Sequence, residues 1–474
     1  MRVFFVVLAV AALTQTACAT RPGAVASLAV PSSILQGNPP GALVTGLAPN
    51  ETVTVYAIRS VTYQAVEAGA FVPRQTRVLA WANFEANKNG QIDAADTPLA
   101  GSYSGTDPLG LIWSGFPEGH PALSAKPAIS ALSPDEIQSN SVRFVVERAD
   151  GARLAADTLL KAYSDTIAFT PVGVSSAPAN GVAGGISGVF AAPVGQTKLP
   201  AIMLLHGSEG ANMEASRRWA GHMASRGYAA LALHYVAYPW NGAIEGVEPA
   251  MMNVPVETLD RARAFLATRA EADASRLGVF GISKGAELAL LAASRYDWLD
   301  AVVACVPSDV VWAGYGRELA PGEGLSSWSW AGASLPAIPY DRYEDVFSGK
   351  ATPVAVHNRS RAALSGAAVD RTRIPVADVA GRVLLIGGGL DDVWASLEMT
   401  DAIAATRAAA GLADRTEVLR YKAASHFICG DGTYPQRVDL LSPRVSGVPD
   451  TSVADGKANA DGFSKMLDFL ARSL

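Results

Sequence analysis

Residues 278–289 read GVFGISKGAELA. A short apolar, β-favouring run gives way to Gly281-Ile282-Ser283-Lys284-Gly285, and a stretch of helix formers follows at once. Few architectures accept a strand that ends on a glycine-flanked serine and passes straight into a helix. In such a nucleophile elbow the glycines permit a crowded turn that projects the serine oxygen, and the helix N-terminus favours developing negative charge. The spacing G-x-S-x-G also arises by chance, and this chain holds 44 glycines. The remaining sequence therefore has to supply a base, an acid, an oxyanion site and the right fold.

At 474 residues the chain is long enough for two cores. From about Pro31 to Ser164 it shows short strand-like runs without helices between them: Leu43 to Thr45, Thr52 to Ile58, Arg77 to Asn83, Gly110 to Trp113 and Val142 to Glu147. Asn50, Asn89-Gly90, Asp107-Pro108 and Asp150-Gly151 punctuate them, a pattern that predicts a β-sandwich. Glu85, Asn87, Asn89, Gly90, Asp93 and Asp96 have the alternate oxygen ligands of a calcium loop, but Asn-Gly is the stronger signal for a plain turn. From about Thr170 strands alternate with helices, which predicts a mainly parallel sheet covered on both faces. The expected division is a leader over 1–19, a β-sandwich over 24–165 and an α/β domain over 166–474. Parallel sheets place sites beyond the carboxyl ends of their strands, so the chemistry is sought in the second domain.

A serine hydroxyl needs a base within hydrogen-bond reach. His426 follows the final strand-like run in YKAASHFICGDG, where the chain order serine, acid, histidine puts the base. His120, His222, His234 and His357 have no supporting motif, His357 lying in an irregular segment, and His206 opens the LLHGSEG loop. For the acid, VLLIGGGLDDVWAS offers two neighbours after a buried strand. Asp392 is the first choice, then Asp391, then Asp309 at the end of VVACVPSD. The oxyanion would be met by the amide of Lys284 and by one from Ser208, Glu209 or Gly210. The Lys284 side chain is expected at the surface or behind the site. Trp328, Trp330, Tyr340 and Tyr343 fall where the alternation breaks, and form either a lid or acyl-binding wall or ordinary core. No cofactor and no metal is expected.

Met1-Arg2, an apolar run from Val3 to Leu13 and Ala17-Cys18-Ala19 read as a secretory leader, too short to span a bilayer at about 20 residues. The protein is expected to be exported, periplasmic or secreted. Membrane attachment would require lipidation of Cys18, against which Gln15 stands. Cys305 and Cys429 then remain, either paired or as buried thiols. The formal charge of -6 gives no basic footprint for nucleic acid.

Several strings together resemble the acyl-CoA thioesterase and bile acid-CoA:amino acid N-acyltransferase family. They are DAADTPLAGSYSGTDPLGLIWSGFP in the first domain, and GISKGAELAL, IPVADVAGRVLLIGGGLDDVWAS and SHF in the second. The resemblance implies a β-sandwich followed by an α/β-hydrolase domain, with Ser283 as nucleophile, Asp392 as acid and His426 as base. It implies acyl-CoA as substrate and, because the acyl-transferring members use cysteine where Ser283 stands, hydrolysis rather than transfer. The leader instead favours another small-molecule ester, thioester or amide met outside the cytoplasm. The competing class, an envelope binding protein with a vestigial hydrolase half, would be favoured by loss of any of the three residues.

Overall fold

The computed structural model describes residues 25–67, 70–133, 137–173, 185–239, 242–316, 321–441 and 449–474. The expected leader, Cys18 included, lies outside them.

The first half is a sandwich. Its main sheet is built on a long hairpin, Thr52–Glu67 paired antiparallel with Ala70–Glu85, flanked by Ser141–Arg148 and Arg153–Lys161. Alternation sorts the faces. Val53, Val55, Ala57, Ala80, Ala82 and Phe84 turn inward and join Val44 and Ile92 of a second, three-stranded sheet. On the opposite face Tyr56, Ile58 and Leu79 pack with Ile129 and Leu132. Gly110–Trp113, read from the sequence as a strand, is one turn of helix. Asp107 decides this: one carboxylate oxygen takes the Leu109 N–H at 3.0 Å and the other the Trp113 Nε1–H at 2.9 Å. The Asn89-Gly90 stretch is a turn, closed by Asn87 Oδ1 on the amides of Asn89 and Gln91.

In the second half, β1 (Ile167–Val172), β2 (Ser187–Pro193) and β3 (Leu199–Leu205) lead into α1 (Met213–Ala224) and β4 (Ala229–His234). Then follow α2 (Thr258–Ala267), β5 (Ala272–Ile282), α3 (Lys284–Ala293) and β6 (Ala301–Cys305). The chain continues through α4 (Pro353–Ala362), β7 (Arg382–Gly388), α5 (Ser396–Ala409), β8 (Thr416–Tyr421) and α6 (Ser452–Ser473). The sheet order is β1-β2-β4-β3-β5-β6-β7-β8, with β2 antiparallel to its neighbours and β3 to β8 parallel. This is an α/β-hydrolase fold. The central strands are buried on both faces, which is why they read as unbroken apolar runs. Among the described residues no helix is long and apolar enough to cross a membrane.

The two halves are tied near the end of the chain. Arg437 donates to the carbonyls of Ser114 and Ser102 and lies over the Phe116 ring, while Arg59 donates to Thr433 O at 2.6 Å. On α6, Gly456 lies so close to Trp113 that an added Cβ would fall 2.2 Å from the indole.

Candidate active site

Ser283 joins β5 to α3 with φ 55° and ψ -116°, a conformation that costs an L-residue energy and survives only where its surroundings impose it. Its N–H donates to Cys305 O at 2.9 Å, and its carbonyl accepts the amides of Ala286 and Glu287. Both glycines of the motif are needed for space. A Cβ on Gly281 would lie 2.2 Å from Gly285 O, and one on Gly285 would lie 2.4 Å from His206 O. The motif thus presses the elbow against the end of β3, bringing the LLHGSEG loop to the serine.

His426 stands in the loop after β8, and its Nδ1 bonds Asp391 Oδ2 at 2.8 Å. Asp391, not Asp392, is the carboxylate on the imidazole, which corrects the sequence assignment. The reason lies in the turn after β7. Asp391 Oδ1 caps the amides of Val393 and Trp394 at 2.9 and 3.0 Å, which leaves Oδ2 for the ring. Asp392 instead faces the backbone N–H of His426, and burial pushes its carboxyl above the usual range. Asp309 is engaged elsewhere: Arg361 grips it at 2.6 and 2.8 Å and Arg373 at 2.8 Å.

The base loop is held at several points. Asp455 of α6 accepts from the amide and hydroxyl of Ser425 at 2.6 and 2.8 Å, and Asn459 donates to Phe427 O at 2.8 Å. Trp394 sits edge-on to the His426 ring at 5.6 Å. Cys305 and Cys429 are joined in a disulfide with a Cα–Cα distance of 6.0 Å. One covalent bond therefore links the strand that accepts the Ser283 amide to a point three residues beyond His426. Reducing it, or Cys429→Ser, is expected to cost about 2–5 kcal/mol of stability and to lower turnover below the unfolding temperature. Thermal unfolding and activity with and without reductant check this, and an unchanged Tm on reduction would contradict it.

Of the amides proposed for the oxyanion, those of Lys284 and Ser208 find no acceptor within the protein among the described residues. Lys284 is the first residue of α3, where an amide has no intrahelical partner. The Gly210 N–H is directed to Gly207 O at 3.4 Å, and Glu209 Oε1 takes the Gly207 N–H at 2.9 Å. The Glu209 side chain folds back onto that amide while the residue keeps an exposed surface.

The Lys284 side chain is not at the surface. It is buried and paired to Glu287 at 2.8 Å, and Glu287 also receives the Trp312 amide and Trp328 Nε1–H. Burial pulls the lysine down and pushes the glutamate up. Breaking such a pair from one side is strongly destabilising, so the SKGAE string specifies the floor of the elbow as well as its serine. Of the aromatic residues left open between lid and core, Trp328 is fully buried, and Tyr340 stacks on Tyr315 with their hydroxyls 2.8 Å apart. Trp330 packs edge-on against Tyr296, and Tyr343 lies tilted against Tyr340. Trp328 belongs to the core, and Trp330, Tyr340 and Tyr343 are half-buried and pack against it.

The other histidines are accounted for. His206 stacks on Tyr235 at 3.9 Å, and burial lowers it to about 3. His234 sits between the hydroxyls of Ser187 and Ser216, His222 bonds Ala162 O, and His120 caps a short 3-10 turn. His357 lies on α4 rather than in an irregular segment. It packs edge-on against Trp312, and burial lowers it to about 4. The anchoring roles of Ser425 and Glu287 carried no signal in the sequence beyond their place in the SHF and SKGAE strings, and that of Asp455 carried none.

Residues 254–431 match the model of the BAAT / acyl-CoA thioester hydrolase C-terminal family, and residues 42–165 that of the acyl-CoA thioester hydrolase/BAAT N-terminal region. Residues 186–312 also match the dienelactone hydrolase family. The peroxisomal succinyl-coenzyme A thioesterase of Mus musculus is 26% identical over 444 residues, covering 91% of this chain and 92% of its own. Acyl-coenzyme A thioesterase 6 of the same species is 29% identical over 280 residues, and there the match spans only 58% of the relative's length. Among solved structures, a putative dienelactone hydrolase from Klebsiella pneumoniae aligns with a TM-score of 0.37 at 18% identity, covering 65% of this chain and all of that one. Models of both parts of one two-domain family match this chain in order, one on each half. The chain belongs to the acyl-CoA thioesterase and bile acid-CoA:amino acid N-acyltransferase family.

Proposed function

We propose that the protein is a serine acyl hydrolase that cleaves an acyl thioester or ester through Ser283, His426 and Asp391. The observation that carries this reading is the Asp391–His426 hydrogen bond in the same loop cluster as a serine held at positive φ on an elbow. Ser283 Oγ attacks the acyl carbonyl while His426 Nε2 takes its proton, and Asp391 keeps the remaining ring proton on Nδ1. The amides of Lys284 and Ser208 receive the negative charge that develops on the carbonyl oxygen. The protonated histidine then delivers its proton to the departing thiolate or alkoxide. Water, activated by the same histidine, releases the acid from the acyl-enzyme.

Membership of the family favours an acyl-CoA. The Cys305–Cys429 bond favours an oxidising compartment and so supports export by the leader. In such a compartment an ester or non-CoA thioester is the substrate more readily met. A panel of acyl-CoAs and p-nitrophenyl esters separates the two. The expected result is a burst of about one acyl group per chain, followed by slower turnover, in at least one class. Turnover with no burst that also survives saturating fluorophosphonate would end the proposal.

A further inference from the structure

The sheet is not evenly filled around the elbow. Along its middle strands the residues that face α3, among them Met203, Leu231 and Val279, have no exposed surface. On the face towards α1, Leu204, Ala232 and Phe280 retain 5%, 5% and 4%. That residual surface lines a cavity of about 130 Å³ between α1 and the ends of β3, β4 and β5. Trp219 closes one side, Ile282 lines it directly before the nucleophile, and Glu209 stands at its mouth. Glu209 and Ser283 are close across the Gly207 backbone: a Cβ there would lie 2.5 Å from Glu209 Oε2 and 3.4 Å from Ser283 Cβ.

We infer that this cavity receives the acyl tail of the substrate and selects short, uncharged acyl groups of about four to six carbons. The inference rests on the acyl-hydrolase reading above and narrows its substrate class. Its first ground is position, because Ile282 is bonded to the residue that would carry the acyl group. Size is the second: an apolar cavity of about 150 Å³ holds benzene, so this one takes a chain of about five carbons. The third is charge. No lysine or arginine is among its lining residues, and the one carboxyl at the mouth would repel a second. A tail ending in carboxylate would therefore be buried without a cationic partner.

The test measures kcat/KM for acetyl, butyryl, hexanoyl, octanoyl and succinyl thioesters of N-acetylcysteamine. The wild type should prefer butyryl or hexanoyl, with succinyl at least about tenfold below butyryl. Ala232→Leu should lower hexanoyl by about tenfold or more, with a loss that shrinks as the chain shortens. Trp219→Ala should raise octanoyl relative to butyryl by about tenfold. If Ala232→Leu does not fold, Trp219→Ala carries the test alone. The pocket assignment is overturned by a wild-type preference for succinyl or octanoyl, or by an unchanged chain-length order in the folded variants. Turnover that Ser283→Ala leaves intact overturns the acyl-hydrolase reading instead, whatever the chain-length order.

Discussion

Ser283→Ala lowers kcat/KM by at least about 10⁴-fold and abolishes covalent labelling by a fluorophosphonate. The size of the loss follows from what the substitution spares. Alanine fits the space of the serine, the Asp391–His426 bond is untouched, and the Lys284 and Ser208 amides, which meet no backbone acceptor among the described residues, are left as they were. What remains is binding and charge stabilisation with no nucleophile, and hydrolases stripped in this way keep only a small residue of activity. Steady-state kinetics and labelling on the same preparation check it, with thermal unfolding to show that the variant is folded. A variant retaining more than about one per cent of activity would point to another nucleophile.

Asp391→Asn lowers kcat by about 10³- to 10⁴-fold, whereas Asp392→Asn costs less than about tenfold. An asparagine at 391 can turn its amide N–H towards Nδ1. The ring then carries its proton on Nε2, where it can no longer accept one from Ser283. It also stops stabilising the imidazolium that forms on attack. Asp392 has no such connection: its carboxyl meets the backbone of His426, and burial already disfavours its charge. Removing that charge changes little that the ring experiences. Parallel kinetics on the two variants decide between adjacent carboxylates, and equal losses would place both on the histidine.

This pair also marks where sequence reasoning reached its limit. Ser283 and the Asp391-Asp392 step were legible because each follows an apolar run that a parallel sheet buries, whereas His426, after the half-exposed edge strand Thr416–Tyr421, was legible from chain order alone. Which of two neighbouring aspartates faces the ring is set by the Val393 and Trp394 amides that Asp391 caps, a turn geometry that composition does not encode. Lys284 illustrates the same limit. A lysine after the nucleophile reads as exposed until Glu287, one helical turn on, and the Trp328 indole are seen to enclose it. Gly110–Trp113 went astray because four apolar residues suit a strand as well as a helical turn, and Asp107, three residues upstream, settles which. The Cys305–Cys429 bond was open from sequence because pairing depends on a distance across the fold.

The contacts between sandwich and catalytic domain have a consequence for how the chain comes into being. Chains are made from the N-terminus, and domains generally fold as units. By the time residues 426–437 emerge, the sandwich carbonyls of Ser102 and Ser114 that receive Arg437, and the Arg59 side chain that reaches Thr433, are already in place. The first domain to be synthesised thus offers a finished surface on which the last part of the catalytic machinery settles. Chain made without residues 24–165 would have to place the histidine loop with no such guide.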